Sequence, residues 1–534
     1  MNKKLKEEPS EYMTSKFYIT TPIYYVNDAP HIGSAYTTIA ADVLARYHRM
    51  IGDKVFFLTG TDEHGAKVAE KAKEQGKKPQ EFVNEIAAKY QLAWDELNIS
   101  NNNFIRTTDS KHKKAVQNAL QCLYNKGDIY LGEYEGLYCK GCEQYKSEKD
   151  LINGKCPDHG IAPEKMSEKC YMFKLSKYQD KLIDKIKKDE FEIRPMARKN
   201  EVVNFYKEGL KDISFSRKNV KWGVPLPWDE SHTSYVWADA FLNYLTGLPS
   251  FATSFAKATD VKKATEGKVE NSLRSEALAK EWPADLHLMS KDILRVHATI
   301  WPAMLLALGL PLPKQLFIHG FFMVDGQKMS KSLGNVIAPE DLVKRYGVDG
   351  ARYLLMSATT FGHDGDVSFD KFNEKYNADL ANGLGNLAAR SVALAEKMQS
   401  SKRKIQSDNA KLKINWVEYK DSLEKLQINK AIEIINSEIK FLDNYITENK
   451  PWELIKNEDE RIGAVMYNIL ESLRILAWMV WPFMPETAEK IWSQLGLDPT
   501  EEMKKDFKEA TEWGGLSPDT QIKKGDVLFP RINY

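Results

Sequence analysis

Residues 17–65 read as strand, loop, helix and strand, and that order leaves few folds open. Phe17-Tyr18-Ile19-Thr20-Thr21 is β-branched and aromatic, which suits a pleated, half-buried strand. Ile32, Tyr36, Ile39, Val43 and Tyr47 recur at helical spacing, and Gly52 is a natural stop. Val55-Phe56-Phe57-Leu58 is a short continuous apolar run, the pattern of a strand covered on both faces. Two strands joined through a helix imply a parallel pair. The rhythm breaks near residue 131, where tyrosines, glycines and cysteines dominate. It returns at 234–244, 286–289 and 316–322. Beyond about residue 370 the chain is helical. Ile428, Ile432, Ile435, Ile439, Leu442 and Ile446 alternate steps of four and three, one apolar stripe. Similar patterns at 371–399 and 462–480 imply a helix bundle.

Charge adds little to this, because 76 Lys+Arg stand against 75 Asp+Glu. The balance excludes a histone-like basic coat but not an RNA partner, since one basic face can be offset elsewhere. Residues 1–16 are polar and lack an apolar signal core. The most apolar runs, 301–313 and 475–485, are short and broken by proline, so no membrane span is expected and the expected location is cytoplasmic. Four of the five cysteines cluster. Cys139-Lys140-Gly141-Cys142 and Cys156-Pro157-Asp158-His159 form C-x2-C…C-x2-H, which closes a tetrahedral zinc site. Four protein ligands leave no open position, so one structural Zn²⁺ per chain is expected. Cys122 and Cys170 have no partner motif and read as packed thiols.

Two loops carry chemistry. Tyr25-Val26-Asn27-Asp28-Ala29-Pro30-His31-Ile32-Gly33-Ser34 links the first strand to its helix. Ligands bind at such carboxyl edges, and a helix N-terminus favours phosphate. Gly33 lets a ligand approach, and His31 has a ring nitrogen to donate. The second loop is Val324-Asp325-Gly326-Gln327-Lys328-Met329-Ser330-Lys331-Ser332-Leu333-Gly334. Its lysines and hydroxyls, bounded by glycines, suit the neutralisation of a triphosphate as a loop closes.

Together these two signatures resemble those of the class I aminoacyl-tRNA synthetases, and the remaining blocks resemble the bacterial-type methionyl family with a single zinc knuckle. The likeness runs from residue 17 to the C-terminus, apart from 250–280. It implies α/β architecture with a Rossmann-like doubly wound parallel sheet, interrupted by a small zinc-knuckle insertion and followed by an all-α anticodon-binding bundle. The expected boundaries are 17–130 and 228–324 for the two halves of the catalytic domain, with a surface insertion at 250–280. Residues 131–227 form the insertion, 325–370 the second signature loop and stem-contact region, and 371–534 the bundle. The family's first signature usually ends in histidine; here Ser34 stands there, able to hydrogen-bond a phosphate but carrying no charge.

The resemblance assigns residues by position. His31, Lys328 and Lys331 are catalytic, and ATP would meet His31, Gly33, Ser34, Asp292, Lys328, Ser330 and Lys331. Methionine would lie against Ile23, Tyr25, Asp62, Trp237, Ala240, Tyr244, Ile293 and His297. A carboxylate suits the substrate ammonium, and aromatic walls suit a thioether. Asn386, Arg390 and Trp452 would read the anticodon, stacking on and hydrogen-bonding to single-stranded bases. The basic runs 111–114, 194–199 and 217–221 are further candidates to meet RNA phosphate. The implied partners are L-methionine, ATP with Mg²⁺, and tRNA(Met) including the initiator, and the length suggests a monomer without an editing or dimerisation domain. Two other readings stay open: another class I synthetase, and a non-catalytic tRNA-binding paralogue.

Overall fold

The structure is a computed structural model, and it describes residues 15–141, 144–146, 148–157, 159–251, 276–329, 334–400, 404–406, 412 and 414–533. Cys142, Ser330, Lys331 and most of the 250–280 stretch lie outside the described residues.

Seven parallel strands form the central sheet: β1 (Lys16–Thr20), β2 (Tyr24–Tyr25), β3 (Lys54–Asp62), β4 (Asn103–Arg106), β5 (Glu192–Arg194), β6 (Leu286–Ser290) and β7 (Gln315–His319). Leu58 pairs with both Thr20 and Asn103, and Thr61 with both Tyr24 and Arg106. So β2 continues the line of β1 past Pro22, with β4 on the far side of β3. On the other side β1 pairs with β6, β6 with β7 and β7 with β5. The chain order therefore reverses between β1 and β6, and the crevice at their carboxyl ends is the natural ligand site of such a sheet.

The helix α1 (Ile32–Met50) packs on one face and is buried over most of its length. The apolar core on that face runs without a break into the helical bundle. A second core fills the other face, where α2 (Leu294–Leu308) and the helix Ser110–Asn125 lie. Beyond the sheet come α3 (Pro339–Ser357), broken at Gly347, and the bundle helices α4 (Asn386–Ser400), α5 (Ile428–Asn449) and α6 (Ile462–Val480). The isoleucine stripe of α5 is buried as its period requires. Among the described residues α6 alone is long and apolar enough to cross a membrane, and 94% of its apolar window is packed inside the protein.

Three expectations need correction. The strand β5 falls inside 131–227, which sequence texture assigned wholly to the insertion, yet it pairs with β7 at the edge of the main sheet. Three residues are too few to show a period. The stretch 234–244 holds no strand of that sheet; it folds as the short helices Val236–Ala240 and Asn243–Thr246. The pattern at 371–399 is helical throughout, as expected, and includes a ten-residue π segment, Tyr376–Gly385. Arg217, grouped with a basic surface run, is instead buried between the rings of Tyr235 and Tyr138, 4.5 and 5.5 Å from their centroids. The described end of the 250–280 stretch is the helix Glu276–Glu281, whose Leu278 is buried.

Candidate active site

The crevice between β1 and β6 is built on the first turn of α1. His31 is its N-cap: its Nδ1 accepts from the Gly33 N–H at 3.0 Å. The lone pair is committed there, so the ring proton sits on Nε2, which remains a donor. Partial desolvation in the crevice lowers the imidazole below its ordinary value, against the pull of Asp28 and Asp292. The ring is thus held neutral with one donor. A Cβ on Gly33 would meet the His31 ring at 2.8 Å, so glycine is what permits this cap. Ser34 completes a capping box. Its Oγ accepts from the His31 N–H at 3.1 Å and donates to the His31 carbonyl at 2.7 Å. The structure therefore gives Ser34 a backbone role, shaping the turn that presents His31.

The second signature loop leans on the same turn. The Ile32 N–H donates to the Ile337 carbonyl at 3.0 Å, and Met329 lies against Gly33. Gln327–Lys328 pairs with Met323–Val324 as a short antiparallel hairpin. Asp292 follows β6, exposed, with its carboxylate accepting from the Ser290 hydroxyl. Beside it Lys291 pairs with Asp364 at 2.6 Å.

The expected methionine residues fall into two groups, one at the end of β3 and one around His297. Tyr25 pairs with Asp62 at the end of β3, and Asp62 is buried. Trp237 and Ala240 lie on the helix Val236–Ala240, and Tyr244 on the next turn. Ile23, Trp237 and Ile293 pack against the same apolar cluster as Tyr244. The rings of Trp237 and Tyr244 lie 6.0 and 5.9 Å from that of His297. His297 Nδ1 is 2.9 Å from the Ile293 carbonyl, which only accepts, so Nδ1 carries the proton. Burial holds this imidazole down to about 4, leaving Nε2 a neutral acceptor for the Tyr244 hydroxyl at 2.8 Å.

Sequence reading missed two further buried histidines here. His319, also held down to about 4 by burial, lies 2.7 Å from the Thr37 hydroxyl of α1. His287 is pushed well below its ordinary value by burial and lies 2.7 Å from the Thr20 hydroxyl of β1. His287 is the second residue of β6 and His319 the last of β7, both apolar strands, where a histidine reads as one more core residue.

These groups predict a sign for pH dependence. A folded imidazole that resists protonation binds fewer protons than its unfolded counterpart, so stability falls as pH drops below about 6.5. The contribution of His297 or His319 is complete near pH 4. Between pH 7 and 5 each is expected to remove roughly 2 kcal/mol. Urea unfolding across that range checks it; a flat midpoint contradicts it.

Away from the crevice, Cys139, Cys156 and His159 place their ligand atoms within 4.8 Å of one another, and both thiols are fully buried. A Cβ on Gly141 would lie 2.4 Å from the His159 ring, so that turn too needs glycine. Soft thiolates with one imidazole fit Zn²⁺. Cys122 and Cys170 are buried thiols. In the bundle Asn386 is exposed and Arg390 pairs with Asp443. Trp452 follows Lys450, which ends α5 in the left-handed conformation at φ 45°, and it is 39% exposed, more open than a packing residue.

A family model described as tRNA synthetases class I (M) matches residues 17–162 and 147–392. A second, the anticodon binding domain of methionyl tRNA ligase, matches residues 396–534. The methionine–tRNA ligase of Caldanaerobacter subterraneus is 44% identical over 531 residues, 98% of this chain and 80% of that protein. That of Streptomyces coelicolor is 40% identical over 541 residues, 97% of this chain and 96% of that protein. Among solved structures, Mycobacterium tuberculosis methionyl-tRNA synthetase in complex with methionyl-adenylate superposes with a TM-score of 0.86 at 35% identity, covering 97% of this chain and 100% of that one. Its free state gives 0.78 at 32%, covering 98% and 99%.

Proposed function

This chain belongs to the methionyl branch of the class I tRNA synthetases, and on that premise we propose how its residues divide the work of a methionine–tRNA ligase. The methionine carboxylate attacks the α-phosphorus of ATP, the bond to the β-phosphate breaks, and pyrophosphate leaves. The terminal ribose hydroxyl of the tRNA then attacks the adenylate carbonyl, and AMP leaves. No covalent enzyme nucleophile is needed; alignment and charge stabilisation supply the rate.

The observation that carries this reading is the His31 cap, with its Nε2 donor at the mouth of the switch crevice and an aromatic pocket alongside. His31 steadies the phosphates, and Gly33 opens the turn. Lys328, Ser330 and Lys331 grip the pyrophosphate portion, and Asp292 takes a ribose hydroxyl. Mg²⁺ enters with the nucleotide as part of the substrate. Asp62 holds the methionine ammonium, while Ile23, Tyr25, Trp237, Ala240, Tyr244, Ile293 and His297 enclose the side chain. Asn386, Arg390 and Trp452 read the anticodon of tRNA(Met), initiator included. The enzyme works as a cytoplasmic monomer.

ATP–pyrophosphate exchange measured across the amino acids tests the reading. Methionine-dependent exchange supports it; exchange driven by another amino acid, or none, overturns it. Zinc has its own test. Cys139, Cys142, Cys156 and His159 would hold one Zn²⁺, which would cross-link two turns of the insertion. Cys156→Ser is expected to lower bound zinc from one per chain to a small fraction, read by atomic emission. Unchanged zinc content counts against the site.

A further inference from the structure

Asp239 is fully buried, in the short helix that carries Trp237 and Ala240. Two imidazoles meet its carboxylate: His64 Nδ1 at 2.5 Å and His112 Nε2 at 2.8 Å. Burial alone would raise Asp239, but these two rings overcome it and hold the group at about 2. An ionised carboxylate only accepts, so both facing nitrogens carry protons. Each imidazole belongs to a different wall. His64 stands two residues after Asp62, and its ring meets Trp222 edge-on at 5.6 Å. His112 rises from the helix Ser110–Asn125, and its Nδ1 lies 2.7 Å from the hydroxyl of Thr246, in the turn that carries Tyr244. One carboxylate therefore ties together the end of β3 at Asp62, the helix of Trp237 and the turn of Tyr244.

We propose that Asp239 is a positioning residue that fixes the distance between the Asp62 carboxylate and the Trp237–Tyr244 wall, and so sets which side-chain length the amino-acid pocket accepts. The proposal rests on the methionine pocket assigned above. Asp239 has no exposed surface from which to touch a substrate, so its effect passes through its two histidines. A hydrophobic pocket separates substrates one methylene apart by only ~1–3 kcal/mol, so small changes in spacing reach selectivity directly. A buried carboxylate between two N–H donors resists such changes, because moving either wall leaves a donor without its acceptor.

The test measures exchange kinetics of the full chain with methionine and with ethionine, one methylene longer. Asp239→Asn is expected to raise the methionine KM by about tenfold, keep the ATP KM within about twofold, and narrow the methionine-over-ethionine preference by about tenfold. Thr246→Val removes only the far end of the relay and is expected to narrow that preference by about threefold. It decides the matter if Asp239→Asn does not fold. Equal rises in both KM values, or an unchanged preference in every variant that folds, overturns the proposal. Asp62→Asn separates the premises: if it leaves the methionine KM unmoved, the pocket assignment fails. If it raises that KM while the Asp239 and Thr246 variants do not, the positioning role alone fails.

Discussion

His31→Asn is expected to cut the rate of methionine-dependent pyrophosphate exchange by about 10²–10³-fold while leaving the protein as stable as before. The two halves of this expectation come from the two ends of one ring. Nδ1 accepts from the Gly33 N–H, a capping bond that asparagine, itself a preferred N-cap, can replace. Nε2 is the outward donor, and asparagine is too short to put a donor in its place. His31→Ala removes both ends and is expected to lose the same activity plus about 1 kcal/mol of stability for the missing cap. Stopped-flow or exchange kinetics together with thermal melting separate these effects. An asparagine variant within about threefold of the parent rate would show that the ring acts only as a cap.

That ring also marks where sequence reading works and where it stops. His31 and Gly33 were legible because their role is local: a strand, a loop and an amphipathic helix follow one another, and the N-cap falls between them. The approach of Cys139 to Cys156 and His159 was legible for the same reason, through the short C-x2-C and C-x2-H spacings. Ser34 was legible as a hydroxyl near the phosphate site, but its capping-box bonds with the His31 backbone depend on backbone geometry. Asp239, His64 and His112 carried no signal. They are scattered along the sequence, each in a different pattern, and only tertiary packing joins them. The residues assigned to methionine were intermediate. Trp237 and Tyr244 read as ordinary core aromatics, and only their joint match to a known family marked them. Arg352 was invisible for a further reason: apart from Asp42 its acceptors are main-chain carbonyls, which have no sequence signature.

Arg352→Met is expected to destabilise the protein by about 3–5 kcal/mol, far beyond a surface arginine. Arg352 and Asp42 are both fully buried, and they pair at 2.7 Å. Asp42 lies on α1, the helix that His31 caps. Burial would raise its carboxyl, but the guanidiniums of Arg46 and Arg352 hold it down at about 2. The other donors of Arg352 reach the carbonyls of Leu97, Pro482 and Phe483 at 3.1, 3.0 and 2.8 Å. Pro482 and Phe483 follow α6, so one guanidinium joins α1 to the bundle. In the methionine variant Asp42 keeps Arg46 and the Ser100 N–H, at 2.8 and 2.7 Å. The cost therefore falls mainly on the three carbonyls, which lose their donor in a place water does not reach. Arg352→Lys should lie between parent and Met, since an ammonium has three donors on one point and cannot span the planar fork. The first unfolding transition in calorimetry, compared across parent, Lys and Met, checks the order. Next to this junction, Asp349 accepts from the Thr487 N–H at 2.6 Å, and burial raises its carboxyl to about 6. Its folded value lies above the unfolded one, so its ionisation weakens the fold above pH 4 rather than supporting it. A Met variant within about 1 kcal/mol of the parent would mean that the apolar core shared by α1 and the bundle holds them together without the guanidinium.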